Sequence, residues 1–216
     1  RHTRRRASRK ILMTAYIDDW TEDVTTTICD DYGNAGEPIR IKTRQEMIDF
    51  LSSDSKNKAG NVALVTNDIN LGDWDSSYDL FCTLNLGGCT LLSNDRFLNR
   101  MEDVASLING TIQIGSTVDA AIASENYGLI EGVNVEPTDN SSALATVAGA
   151  VIDNHGTITR CNASLKVSGT TALYVGGIAA TSLSTASHSA IIDDCTVTNR
   201  VSGGTYGGGI GGKGTR

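Results

Sequence analysis

The chain has 216 residues, with 23 glycines against two prolines and only 5% aromatic residues, which suits a repetitive β architecture better than a close-packed globule. The formal charge is −7, but Arg1, Arg4, Arg5, Arg6, Arg9 and Lys10 put six positive charges in the first ten residues, so residues 11–216 hold 12 basic and 25 acidic groups, a balance of −13. An acidic body of this kind disfavours nucleic acid as a partner, and no apolar run is long enough to span a membrane.

In chain order, residues 1–10 form a basic segment. A nucleic-acid arm or a membrane-surface tag is one reading, and a disordered tail or the cut end of a longer reading frame is the other, favoured by the acidic body. Ile11–Trp20 and Val24–Ile28 read as strands that either close a preceding domain or pair with the body. Residues 30–38 carry Gly33, Gly36 and Pro38 and read as a linker.

Residues 39–106 read as a capping segment and the first coil. Ile39–Lys42 is a short strand, and Thr43-Arg44-Gln45-Glu46 has the spacing of a capping box, in which the threonine hydroxyl and glutamate carboxylate satisfy free amides of the first helical turn. Met47, Phe50 and Leu51 then share one helical face, predicting a short amphipathic helix over 44–51. Asn61–Leu71 reads as a strand. This strand-helix-strand unit is expected to act as a lid on the coils that follow. Asn67, Asp68, Asn70, Asp73 and Asp75 lie close enough to invite a calcium reading, but their spacing does not match an Asp-x-Asp-x-Asp-Gly loop. A solvated turn is the expected structure, with Trp74 packed on the lid.

Residues 107–216 repeat. Leu107–Ile114 is taken as the first strand of the series, and Asp119–Ile130 aligns without a gap on Val147–Ile158 at an offset of 28 residues. Each copy is a small-residue apolar run, an Asn-x-Gly, and a strand start, and a period in the range of about 20–50 residues marks a solenoid. Ile130, Ile158 and Ile192 begin three equivalent strands, followed three residues later by Val133, Cys161 and Cys195. The small-residue run returns as Val175–Ala180 and Gly207–Gly212, while Thr181–Ser189 is extra and is expected to bulge from a corner. Asn126 and Asn154 are expected to stack at a corner where the chain turns through positive φ. The fold expected is all-β: a parallel β-helix of about three to five coils behind a small cap.

These repeats resemble the Gly-rich GLUG-type segments of large exported bacterial proteins, whose units read approximately Val-Gly-Gly-Leu-Val-Gly-x-Asn-x-Gly-x-Ile-x-Asn-Cys-x-Val. The pattern falls on Val147–Ala163 and, with the inserted loop, on Val175–Val197, although Ile152 and Ala180 stand where the pattern prefers glycine and the third unit lacks Asn-x-Gly. The resemblance implies a right-handed parallel β-helix on an exported protein, extracellular or at the bacterial cell surface, and carries no catalytic residues with it. As the chain shows no initiating Met and no signal peptide, export rests on that resemblance or on upstream sequence.

No catalytic, cofactor-binding or metal residue is assigned. Cys29, Cys82, Cys89, Cys161 and Cys195 lack metal spacing, Cys82 and Cys89 are close enough in sequence for a disulfide to stay open, and Cys161 and Cys195 read as small core residues. His2, His155 and His188 read as isolated. Two function classes follow. One is a non-enzymatic, adhesin-like structural and binding module, taking neutral glycans or host or cell-surface proteins on its variable segments Glu136–Ser142 and Thr181–Ser189. The other is a polysaccharide lyase or hydrolase using Asp193 and Asp194, disfavoured because neighbouring strand residues face opposite ways and Tyr174 is the only aromatic in 130–205. Tyr206–Gly212 starts a coil with no cap after it, so the chain is expected to be part of a longer rod that self-associates at this edge.

Overall fold

The structure is a computed structural model that describes residues 28–29, 35–138 and 144–214. The basic segment 1–10, the predicted strand Ile11–Trp20, residues 24–27 of the predicted strand Val24–Ile28 and residues 139–142 of the first variable segment lie outside the described residues. Ile28–Cys29 pairs antiparallel with Ala35–Gly36, so the predicted linker supplies one strand of a two-stranded ladder.

From Ile39 onward the strands stack in parallel as a β-solenoid, and the column is continuous. Ile39 pairs with Ala63, Ala63 with Leu84, Leu84 with Leu107, Leu107 with Ile130, Ile130 with Ile158, and Ile158 with Ile192. These steps are 24, 21, 23, 23, 28 and 34 residues long, giving about six turns. The inward column of Ile130, Ile158 and Ile192 is as predicted, but the stack begins well before Leu107, and the expected three to five coils are too few. The earlier coils escaped sequence alignment because they are shorter and fill the core with Leu84, Leu86, Leu91, Phe97 and Leu98, where later coils use alanine and glycine. Side chains that differ in volume can occupy equivalent positions because each coil only has to match its neighbours.

The later turns have three walls. The first carries Thr83–Asn85, Ser106–Ile114, Leu129–Pro137, Thr157–Thr159 and Ile191–Asp193, and continues past a bend into Thr90–Ser93, Asn162–Ala163 and Thr196–Val197. The second holds Leu144–Ala145, Lys166–Gly169 and Val201–Gly203. The third stacks Asp79–Leu80, Leu98–Met101, Ala123–Asn126, Val151–Asn154, Ala179–Ser182 and Gly211–Gly214. Inward residues of all three walls make one continuous core. Predicted strand Asn61–Leu71 is in fact two, Val62–Val65 and Ile69–Gly72, because the first wall bends there, with Asp68 Oδ1 accepting a hydrogen bond from Thr90 N at 2.7 Å.

The bend in the first wall is the corner that needs left-handed backbone. Asn109, Gly132, Arg160 and Asp194 take φ values of 57°, 61°, 52° and 47° at matching positions in successive coils. Asn126 and Asn154 do stack, but within the extended strands of the third wall, correcting the expected corner geometry. Both are fully buried, and Asn126 Nδ2 donates to Asn154 Oδ1 at 2.8 Å. Asn154 Nδ2 lies 3.1 Å from Gly156 O, 3.2 Å from Ser182 Oγ and 3.3 Å from Ile191 O. The glycine of Asn-x-Gly serves close approach: a Cβ on Gly128 would meet the carbonyls of Ala105 and Glu102, and one on Gly156 would meet the carbonyl of Gly128.

The lid forms as the sequence predicts. Helix Arg44–Leu51 has both halves of the Thr43/Glu46 capping box and buries Met47, Phe50 and Leu51 over the first coil. Arg44 reaches down to donate to Leu71 O at 2.7 Å and Asp73 O at 3.0 Å, and its guanidinium stands over the buried Trp74 ring, 5.8 Å from the centroid. Trp74 thus packs beneath the lid, its indole N–H bonded to Phe97 O at 2.7 Å.

Candidate binding face

The exterior of the third wall gathers polar and aromatic side chains that the core does not use. Strand register places Asp79, Arg100, Glu125, Asp153, Thr181 and Lys213 in one column, one residue per coil. Parallel stacking at about 4.8 Å makes each a neighbour of the next. The column partly compensates its own charge: Arg100 pairs with Glu102 at 3.0 Å and Glu125 at 3.6 Å, and the Thr181 hydroxyl donates to Asp153.

One edge of this column carries a ring stack. Tyr127 and His155 each follow the buried ladder asparagine of their coil, so the asparagine register brings their rings to 4.8 Å at an interplanar angle of 24°. Arg100 sits over the Tyr127 ring at 4.3 Å. His188, from the inserted loop, meets Tyr127 edge-on at 5.3 Å and 74°. His155 Nδ1 donates to Leu183 O at 2.8 Å, since a carbonyl can only accept. The two histidines, read as isolated in the sequence, therefore share one aromatic cluster. The 28-residue offset already implied the Tyr127–His155 contact, but a loop contact such as His188 has no periodic signal.

The insertion itself is ordered by local bonds. Thr185 N donates to His188 O at 2.8 Å, His188 N to Thr185 Oγ1 at 3.1 Å and Ala190 N to Ser184 Oγ at 3.1 Å. Thr181 and Ser182, read as part of the loop, belong to strand Ala179–Ser182, so the protruding segment is 183–190.

The other edge carries Tyr174 and Tyr206, stacked at 5.5 Å, with Lys213 Nζ 5.1 Å from the Tyr174 centroid. Tyr174 packs with Val147 and Ile152 against a second, small cluster of buried residues, Ala120, Ala148 and Ala180. Tyr206 is 56% exposed and Leu173 54%, so this edge presents apolar surface to solvent beside the polar column.

Other predicted positions are placed elsewhere. Asp193 and Asp194 lie on the first wall, exposed, with Asp194 at the left-handed corner and Asp193 paired to Thr159 above Glu131, which is itself held by Arg160. Of the Asn67–Asp75 oxygens, Asp73 Oδ1 accepts from Asn94 Nδ2 at 3.0 Å and Asp75 Oδ1 from Ser77 N at 3.0 Å, as in ordinary turns. Among the described residues, no three His, Cys, Asp or Glu side chains gather as a metal site. Cys82 and Cys89 are both free thiols with separate partners: Cys82 is buried and donates to Asn57 Oδ1 at 3.6 Å, and Cys89 to Val65 O at 3.7 Å. Burial pushes the Cys82 thiol up to about 11, which makes it unreactive near neutrality. Glu136, in the first variable segment, accepts from Gln113 Nε2 at 2.8 Å. Over the last coil an open groove of about 430 Å³ runs between Val197, Val201 and Gly208. No helix among the described residues is long and apolar enough to cross a membrane.

Comparison with protein-family models, curated proteins and solved structures returns no match for this chain.

Proposed function

We propose that this chain is a non-enzymatic, adhesin-like structural and binding module of a bacterial protein, working outside the cell or at its surface, with the solenoid as a stiff rod and the exterior of the third wall as its contact surface. The observation that carries this reading is the docking of segment 183–190 onto the Tyr127–His155 stack. An insertion normally adds conformational entropy that binding must remove. Here His188, Leu183 and the internal loop bonds fix it at one edge of a column of hydrogen-bonding groups whose opposite edge carries the exposed tyrosine, so a ligand meets a preorganised surface. The resemblance of the repeats to GLUG-type segments of exported proteins supports the location. The −13 balance of residues 11–216 disfavours anionic polymers, leaving neutral glycans or cell-surface proteins as ligands.

The test is a glycan array with a panel of neutral and acidic polysaccharides, scored for both binding and cleavage. Binding of neutral glycans that weakens in His188→Ala and Tyr206→Ala supports the proposal. Reproducible product formation lost in Asp193→Asn or Asp194→Asn would overturn it in favour of a polysaccharide-cleaving enzyme.

A further inference from the structure

Cys161 and Cys195 occupy the same position in the last two coils. The pairs Thr159↔Asp193 and Asn162↔Thr196 bracket them, and Thr196 N donates to Cys161 O at 2.9 Å. Stacked parallel strands are about 4.8 Å apart, inside the Cα separation of about 4.4–6.8 Å that a disulfide spans. Their side chains take matching orientations: Cys161 Sγ lies 3.2 Å from Thr159 O and 3.8 Å from Ile130 O, and Cys195 Sγ 3.2 Å from Asp193 O and 3.7 Å from Ile158 O. Both thiols therefore point to the same side of the stack, one above the other. They differ in access, since Cys161 is buried and Cys195 only half-buried.

We infer that Cys161 and Cys195 form an oxidisable clasp that ties the last coil to the one beneath it. Cys195 is the attacking group. Interaction with the neighbouring Cys161 thiol holds its thiol low, at about 7, while interaction with Cys195 and then burial raise Cys161. With a small-molecule disulfide as oxidant, the Cys195 thiolate attacks one sulfur, forming a mixed disulfide and releasing one thiolate. Cys161 then attacks the Cys195 sulfur, the protein disulfide forms, the second small thiol leaves, and the Cys161 proton passes to a leaving thiolate. Two protein thiols are oxidised and one small disulfide is reduced to two thiols. The bond closes a 34-residue interval that contains the docked loop and the whole of strand Ile191–Asp193. That coil is otherwise the least covered, with Ile191 45% and Ile210 38% exposed.

The full chain, incubated with oxidised glutathione, alkylated at its remaining free thiols and then digested with trypsin without reductant, should yield peptide 161–166 joined to peptide 167–200. Amide exchange over Ile191–Gly214 should be about tenfold slower than in the reduced chain. Cys161→Val, which places at this site the residue that Val133 provides one coil earlier, should keep the fold and trap glutathione on Cys195. Cys195→Ser should leave Cys161 unmodified. Failure of the 161–166/167–200 cross-link to form, disulfides from Cys161 or Cys195 to Cys29, Cys82 or Cys89 in its place, or a glutathione adduct persisting on Cys195 in the parent chain would each overturn the inference.

Discussion

Replacing Asn154 by alanine tests whether the buried amide ladder, rather than the apolar column alone, holds the coils in register. Asn154 is fully buried, and its Oδ1 is the acceptor for Asn126 Nδ2 at 2.8 Å. Truncation leaves that donor unpaired in the core, a penalty of about 1–3 kcal/mol. It also removes the Asn154 Nδ2 contacts with Gly156 O, Ser182 Oγ and Ile191 O, adding roughly 1 kcal/mol. The sum expected is about 3 kcal/mol, a large part of the ~5–15 kcal/mol that stabilises a typical domain. The control is built into the fold: Asn162 Nδ2 donates to Asn134 Oδ1 at 3.0 Å across the same pair of coils, but at an exposed position. Water replaces that partner, so Asn162→Ala should cost only about 0.5 kcal/mol. Denaturant unfolding followed by circular dichroism gives the global values. Amide exchange at Val151–Ser182 separates local loosening from global unfolding, since a solenoid can unfold coil by coil. Equal destabilisation by the two alanines would refute the reasoning, because burial and the three further contacts of Asn154 are what set the two positions apart.

Gly156→Ala should destabilise by more than about 2 kcal/mol because its Cβ would meet the Gly128 carbonyl, whereas Gly209→Ala, with open space around it, should be close to neutral in the same denaturation assay. Ile158→Ala, at a fully buried position of the inward column, should cost about 2–5 kcal/mol by thermal unfolding. Thr43→Ala removes one half of the capping box and should cost about 1 kcal/mol, read as faster exchange of the helix amides. Burial raises the Cys82 thiol from 9.0 to about 11, so the folded chain keeps a proton that the unfolded chain loses. Its stabilising effect is full below about pH 9 and falls as pH rises toward 11, and denaturation of the parent and Cys82→Val at pH 8 and pH 10.5 should show a larger loss in the parent, since the raised thiols of Cys89 and Cys161 are present in both chains.

The sequence alone determined the parts of this fold that recur or that are local. Offset 28 located the stacking of Asn126 on Asn154 and of Ile130 on Ile158, because equal spacing along the chain becomes vertical contact in a parallel stack. The Thr43/Glu46 spacing located the helix start, as a capping box involves only residues three apart. Tertiary structure decided what has no fixed spacing. The coils built on Ala63 and Leu84 share shape but not composition with the glycine-rich coils, so only their pairing reveals them, whereas the Leu107 strand was already legible. The left-handed corner passes through Asn109, Gly132, Arg160 and Asp194, four residues with no common side-chain chemistry, since the stacked strands on either side fix that conformation. His188 reaches Tyr127 across 61 residues of chain, a contact created by a loop folding back over two coils, and with it the candidate binding face becomes visible only in three dimensions.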